Sequence, residues 1–149
     1  MKKVVFISLF LSIANIVFGQ ILDPVEWSFT SKKIKDGYEL ILTATMKPGW
    51  HIYSQNTPQG GPVATKINFT KNPLVLMLGN ITEQGKMEQH NEPLFGVMVK
   101  QYSNKINFVQ LVKMKAAVNT SVTGSLLYMA CNSTKCLPPK TVPFSIPLK

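Results

Sequence analysis

The 149-residue sequence predicts an all-β fold, an immunoglobulin-like antiparallel β-sandwich. Apolar residues recur at every second position in many short segments, and clusters of turn residues separate those segments. No window combines a helical apolar stripe with helix-capping residues. A chain of this length is enough for one domain with a single core.

The first nineteen residues predict a secretory signal peptide. Met1–Lys3 is a cationic start, Val4–Val17 is mostly apolar, and small residues precede a cut after Gly19. The apolar stretch is shorter than the roughly 20 residues that cross a bilayer, so an uncleaved anchor is the less favoured alternative. We therefore expect an exported domain over residues 20–149, with no membrane span.

The charge pattern argues against nucleic-acid binding. All 16 basic residues are lysines, and the formal net charge is +9. The lysines are scattered, and arginine, the residue best suited to bidentate contacts with bases and phosphates, is absent. We interpret the charge as a solvated surface that attracts acidic partners.

The clearest strand spans residues 37–47, where the alternation places one set of side chains in the core. Pro48-Gly49 then turns the chain into an aromatic segment ending at Tyr53, and residues 55–62 form a loop. The expected core side chains of the strand at residues 37–47 are Tyr38, Leu40, Leu42, Ala44 and Met46. Further strands are expected at Val25–Ser31, Ala64–Thr70, Leu74–Ile81, Val97–Tyr102, Ile106–Met114, Val118–Cys131 and Thr141–Leu148.

The strand predicted at Val118–Cys131 leads into the first cysteine. Unless a bulge changes the register, the alternation puts Cys131 on the less buried face, with Leu127 and Met129 as apolar neighbours. The opposite face is expected to be core and carries Val118, Val122, Leu126, Tyr128 and Ala130.

The chemistry of the chain centres on its two cysteines, Cys131 and Cys136. In an oxidising compartment two cysteines so close should pair, and the polar residues 132–135 between them favour the neck of a hairpin. A bridge over so short a loop contributes only about 2 kcal/mol as a staple. Lys135 favours the thiolate of Cys136. These residues favour a redox function, with a structural staple and metal ligation as alternatives.

A metal site has weaker support. His51 and His90 are the only histidines, and although a Cys2His2 set is conceivable, their spacing is not typical of ligands. The methionines are dispersed rather than gathered as in a copper-handling tract. We predict no cofactor and no metal. A binding module with a structural disulfide and a copper-binding β domain are the competing functions.

Three segments resemble one known family. The run from Tyr128 to Pro139, with Leu137-Pro138-Pro139 after the second cysteine, resembles the active-site region of the N-terminal periplasmic domain of the thiol:disulfide interchange protein DsbD. Lys47–Tyr53 resembles the aromatic strand of that family, and Glu92–Gly96 resembles its cap loop. The resemblance extends over most of the predicted mature chain.

The resemblance implies an immunoglobulin-like sandwich with an exposed cysteine pair on an inserted hairpin. It also implies a periplasmic relay, which takes electrons from a membrane-embedded reductase through a thioredoxin-like domain and passes them to oxidised proteins. By this resemblance Cys136 forms mixed disulfides with partners and Cys131 resolves them. The residues implied to flank or cap the pair are His51, Tyr53, Glu92, Leu94 and Phe95.

The sequence departs from the family pattern in two ways. Four residues separate the cysteines, one fewer than in the best-known member, so the hairpin geometry is expected to differ. The chain also ends at Lys149, without the membrane segment and the thioredoxin-like domain of the full-length protein. We therefore expect the electron donor to be another polypeptide.

Overall fold

The computed structural model describes residues 22–93 and 95–149, and the signal peptide predicted at residues 1–19 lies outside them. The described residues form β-strands and contain no helix that is long and apolar enough to cross a membrane. The strands are β1 (Val25–Ile34), β2 (Gly37–Met46), β3 (His51–Tyr53), β4 (Lys66–Phe69), β5 (Val75–Glu92), β6 (Val97–Met114), β7 (Thr120–Tyr128), β8 (Ala130–Cys131) and β9 (Lys140–Leu148).

The strands form two antiparallel sheets. The larger sheet has the order β1-β2-β6-β3-β8, with β5 also pairing with β6, and the smaller sheet has the order β4-β7-β9. The predicted all-β, immunoglobulin-like sandwich is therefore confirmed. The cysteine pair lies at the β8 edge of the larger sheet.

The core lies between the sheets and follows the period-two pattern. All five predicted core residues of β2 are buried, and Leu40, Leu42 and Ala44 have no exposed surface. Aromatic rings join the two sheets, since the ring of Trp27 lies 5.4 Å from that of Tyr128 and the ring of Phe29 lies 5.4 Å from that of Phe144.

The β5–β6 hairpin is longer than the sequence predicts. The strand expected at Leu74–Ile81 continues to Glu92, and the two strands expected between Val97 and Met114 are one strand that passes through Asn104, whose φ is 62°. The added part of β5 carries polar, largely exposed side chains, so it lacks the apolar alternation that marks a strand. Main-chain pairing with β6 stabilises this part of β5 as a strand. The register of the pairing is irregular after Leu78 and after Gly85.

The predicted strand Val118–Cys131 is split between the two sheets. β7 ends at Tyr128 in the smaller sheet, and β8 begins at Ala130 in the larger sheet, where it pairs with β3. The prediction that Cys131 lies on the less buried face is therefore wrong, because the change of sheet turns Cys131 inward and only 1% of it is exposed. Val118 is also not core, since it lies before β7 and is 49% exposed. The other predicted core residues of this segment, Val122, Leu126, Tyr128 and Ala130, are buried.

Gly124 provides a test of the packing in the smaller sheet. A Cβ atom at this position of β7 would lie 2.2 Å from the main-chain oxygen of Asn68 and 2.5 Å from the ring of Phe144. We predict that Gly124→Ala lowers the free energy of unfolding by about 1–3 kcal/mol, as overpacking does elsewhere. The control is Ser121→Ala, at an exposed position of the same strand, which should change the free energy of unfolding by less than about 0.5 kcal/mol. Equal urea midpoints for the two variants would contradict this packing.

Candidate functional site

Cys131 and Cys136 form a disulfide at the neck of a tight hairpin, as the sequence predicts. The two residues are direct antiparallel partners, and their Cα atoms are 4.0 Å apart. They occupy a non-hydrogen-bonded position of the ladder, where facing side chains are closest. The main-chain hydrogen bonds on either side run from Asn132 N to Lys135 O and from Leu137 N to Ala130 O, both 2.9 Å.

The turn of this hairpin is held by the side chain of Asn132. Its Oδ1 accepts hydrogen bonds from the main-chain N–H groups of Thr134 at 3.0 Å and Lys135 at 2.9 Å, and from the hydroxyl of Thr134 at 3.0 Å. Asparagine commonly stabilises turns in this way. The loop therefore has its own hydrogen bonds, which do not require the disulfide.

The two sulfurs differ in their surroundings. Cys131 is buried in a small apolar cluster with Tyr53 and Val99, both fully buried. Cys136 is only partly buried and packs against the outside of this cluster. The resemblance implies an exposed cysteine pair, but in the structure one cysteine is buried and the other is partly exposed. Cys136 is the sulfur on the accessible side.

The neighbouring strand β3 places two predicted site residues beside the pair. His51 is the direct ladder partner of Cys131, and Tyr53, two residues further on, shares its face of the sheet. The ring of His51 meets that of Tyr53 edge to face at 5.2 Å. The short strand therefore brings an imidazole and a phenol to the buried side of the disulfide.

A chain of polar contacts connects these side chains to the end of β5. The Tyr53 hydroxyl donates to Glu92 Oε2 at 3.3 Å, and His51 Nε2 lies 3.2 Å from the same hydroxyl oxygen. Because the hydroxyl has one proton and donates it to Glu92, we assign Nε2 of His51 as the donor to Tyr53. Nδ1 of neutral His51 then keeps its lone pair.

Glu92 also shapes the turn between β5 and β6, where the sequence places the cap loop. Its carbonyl oxygen accepts hydrogen bonds from Phe95 N at 3.1 Å and Gly96 N at 2.7 Å, and Gly96 has a φ of 66° that favours glycine. Only 8% of Glu92 is exposed, and Phe95 is partly exposed within the turn. The predicted cap residue Leu94 lies outside the described residues.

Burial keeps His51 and Tyr53 neutral. Loss of solvent lowers the pKa of His51, and nearby His90 adds to this, while the carboxylates of Glu92 and Glu88 oppose it. Burial raises the pKa of Tyr53 above its ordinary value, and the charge of Glu92 and its hydrogen bond act in the same direction. At neutral pH the pair beside Cys131 is therefore an uncharged imidazole and an uncharged phenol.

A second polar group on the same face was missed by the sequence reasoning. Glu88 Oε2 accepts hydrogen bonds from Gln101 Nε2 at 3.4 Å and from the Ser103 hydroxyl at 3.2 Å. Val97 and Val99 of β6, also not predicted as site residues, pack against Cys131. The available sequence signal is the polar alternation Glu88-His90-Glu92, which places three titratable groups on one face of a strand.

The two histidines lie on either side of Glu92, whose Oε2 is 3.6 Å from His90 Nε2. This carboxylate is therefore shared between His90 and Tyr53, and through Tyr53 it reaches His51. Among the residues that the structure describes, no three side chains of His, Cys, Asp or Glu are grouped so that they could hold a metal ion.

The fold and the site together define a class of protein: an immunoglobulin-like β domain with a disulfide of unequal exposure on an edge hairpin. The sequence profile of the family described as "Thiol:disulfide interchange protein DsbD, N-terminal" matches residues 19–147. The chain belongs to this family, and the resemblance noted in its motifs is confirmed. A comparison with curated protein sequences gave no match.

Solved structures show the same fold. The DsbD N-terminal domain of Neisseria meningitidis in its reduced form is 17% identical, with a TM-score of 0.53 over 80% of this chain and 83% of that one. The N-terminal periplasmic domain of ScsB from Proteus mirabilis is 18% identical, with a TM-score of 0.51 over 83% of this chain and 44% of that one. The complex between the DsbD N-terminal and PilB N-terminal domains of N. meningitidis includes a chain that is 14% identical, with a TM-score of 0.52 over 85% of this chain and 87% of that one.

The electrostatics of His51 can be tested by titration. We predict that its pKa lies below the usual value of about 6.5 because the imidazolium is desolvated. Glu92→Gln should lower it further, since the carboxylate stabilises the imidazolium, and His90→Gln should raise it. NMR titration of the imidazole resonances gives the values, and His90→Gln also assigns the two histidines. A His51 pKa that does not respond to Glu92→Gln would contradict this network.

Proposed function

We propose that the domain is an exported thiol–disulfide exchange module, which relays electrons through Cys131 and Cys136. It would take them from a thioredoxin-like or membrane-embedded reductase and pass them to oxidised periplasmic proteins. The unequal burial of the two bonded sulfurs is the observation that carries this proposal. A partner can reach Cys136, while Cys131 stays inside, 1% exposed and ready to resolve the complex.

A purely structural role explains this disulfide poorly. It closes a loop between residues only five positions apart, which stabilises the fold by about 2 kcal/mol on the chain-entropy model. The loop already has the hydrogen bonds of Asn132, and neither cysteine belongs to the main core cluster between the sheets. The small expected contribution of this disulfide to the stability of the fold therefore supports the proposal.

In the reducing half of the proposed cycle, a thiolate of the donor attacks Sγ of Cys136. The disulfide breaks, the sulfur of Cys131 leaves as a thiolate and takes a proton, and a mixed disulfide joins the donor to Cys136. The second thiolate of the donor then attacks the donor sulfur in that bond. Cys136 is released and protonated, and two electrons and two protons have passed to the domain.

In the oxidising half, the thiolate of Cys136 attacks a disulfide of the acceptor protein and releases one acceptor thiol. Cys131 then loses its proton and attacks Sγ of Cys136, which re-forms the disulfide and expels the second acceptor sulfur as a thiolate. We assign His51 to accept the proton of Cys131. Its neutral imidazole stands opposite Cys131 in the ladder, where facing side chains lie about 5 Å apart at Cβ.

The remaining predicted site residues are proposed to shield and position the pair. Tyr53 packs with Cys131, and its hydrogen bond to Glu92 ties β3 to the turn that ends the β5–β6 hairpin. Phe95 belongs to this turn, and we propose it, together with Leu94 of the cap loop predicted from the sequence, as the cap over the disulfide. A partner would displace the cap when it reaches Cys136.

The proposed partners follow from the chemistry and from the family. A thioredoxin-like protein supplies the dithiol that the reducing half requires, and a DsbD N-terminal domain has been solved in complex with a PilB N-terminal domain. The periplasmic location rests on the predicted signal peptide, and the ScsB relative is itself described as a periplasmic domain. The proposal requires no cofactor, since the two sulfurs carry the electrons.

The roles of the two cysteines can be separated by trapping. We predict that Cys131→Ser captures a thioredoxin-like donor as a mixed disulfide through Cys136, because the accessible sulfur remains and the resolving one is lost. Cys136→Ser should capture little, because Cys131 is buried. The measurement is non-reducing electrophoresis of each variant mixed with a periplasmic extract, followed by identification of the trapped protein.

Both variants should remain folded, because the lost bridge contributes only about 2 kcal/mol to stability. Thermal unfolding of each purified variant is the control for this expectation. Trapping by Cys136→Ser alone would reverse the assigned roles. No trapping by either variant, together with loss of the fold in both, would show that the disulfide is a staple.

A further inference from the structure

The end of the sandwich opposite the cysteine hairpin exposes apolar side chains. Within β6, the stretch from Gln101, the ladder partner of Tyr53, to Met114 spans roughly 40 Å at 3.3 Å per residue. Eight large apolar side chains are exposed among the described residues, and five of them lie near this far end. They are Leu74, Leu76, Leu78, Leu111 and Val118.

Lysines lie close to three of these apolar side chains, Leu74, Leu76 and Val118. A surface cavity of about 500 Å³ at this end is lined by four lysines, by one carboxylate, Asp36, and by Ile34, Met114 and Val118 among its apolar residues. A fifth lysine, Lys115, stands in the exposed loop after β6 and donates its main-chain N–H to Leu74 O at 2.9 Å. The four lining lysines are Lys33, Lys35, Lys113 and Lys149. We call the five lysines together with Val118 the basic end.

The strand ladders bring the members of the basic end together. Lys33 lies near the end of β1 and Lys35 lies in the β1–β2 turn. Strand β2 pairs with β6 so that Tyr38, the ladder partner of Lys33, lies opposite Val112, one residue before Lys113. On the other side of β6, Lys113 is the ladder partner of exposed Leu76. Cationic and apolar groups therefore alternate across the end of one sheet, rather than forming a uniformly charged face.

We infer that the basic end binds the surface of a membrane that contains anionic phospholipids. Lysines near such a surface are attracted to its phosphate groups, and exposed apolar side chains among them, such as Val118 at 49% exposure, enter the interface. Long lysine side chains suit this arrangement, because their stems lie along apolar surface while the ammonium group reaches the headgroups. A nucleic acid matches the lysines but not the apolar side chains between them.

Binding through this end would orient the molecule. The membrane would hold the end that carries Lys33, Lys35 and Lys113, and the Cys131–Cys136 hairpin would point away from the surface at a height of roughly 40 Å. The inference does not depend on disulfide exchange, because none of the basic end belongs to the cysteine site. Vesicle binding and mixed-disulfide trapping can therefore succeed or fail independently.

The test is co-sedimentation of the purified protein with vesicles of phosphatidylcholine containing 30 mol% phosphatidylglycerol, on the order of the anionic content at which lysine attraction is strong. Lys33→Gln/Lys35→Gln/Lys113→Gln should lower the partition coefficient by roughly tenfold or more. The matched control is Lys47→Gln/Lys66→Gln/Lys105→Gln, which removes three exposed lysines far from the basic end and should lower it much less. Circular dichroism confirms that each variant keeps its strands.

A second variant separates a membrane from other polyanions. Val118→Asn leaves the five lysines and the net charge in place and should still reduce vesicle binding severalfold, because it removes an apolar side chain from the interface. Equal binding by the two triple variants would overturn the inference, and so would wild-type protein that does not sediment with the vesicles. Duplex DNA bound as tightly as the vesicles, with no effect of Val118→Asn, would assign the lysines to nucleic acid instead.

Discussion

The pairing of β8 with β3 is the constraint on which the cysteine site depends. Two ladder positions, Cys131 opposite His51 and Ala130 opposite Ile52, move the chain from the smaller sheet to the larger one after Tyr128. This change of sheet buries Cys131 against Tyr53 and Val99 and leaves Cys136 on the outer side of the hairpin. The unequal burial of the two sulfurs therefore follows from the backbone topology, which places Tyr53 and Val99 around Cys131.

Tyr53 couples this edge to the β5–β6 hairpin. Its side chain packs with Cys131, its hydroxyl donates to Glu92, and its main-chain oxygen accepts a 2.6 Å hydrogen bond from the buried hydroxyl of Thr65. Removing one member of such a buried network leaves a polar atom without a partner, at a cost of about 1–3 kcal/mol. Tyr53 and Glu92 therefore connect Cys131, strand β3 and the β5–β6 turn, and a change at either side chain is expected to disturb all three.

The sequence predicted what depends on local pattern and missed what depends on pairing between distant segments. Alternating apolar residues located β2 and its core face, and the polar residues between the cysteines located the hairpin. The second half of β5 was missed because its ladder to β6, rather than apolar burial, makes it a strand. The burial of Cys131 was predicted wrongly because the alternation continues smoothly through Met129, where the structure changes sheets. The family resemblance implied that His51, Tyr53 and Glu92 belong to the site, but their hydrogen-bonded contacts were not predicted, since the segments that carry them are about 40 residues apart.

The central claim is that the disulfide is a reactive group and not a support of the fold, and equilibrium reduction tests it most directly. The folded protein is incubated in graded dithiothreitol, the thiols are counted by alkylation, and the fold is followed by circular dichroism in the same samples. The account predicts complete reduction of Cys131–Cys136 while the β signal is unchanged, because the core lies between the sheets and the hairpin has its own hydrogen bonds. Reduction that occurs only as the β signal is lost would contradict it.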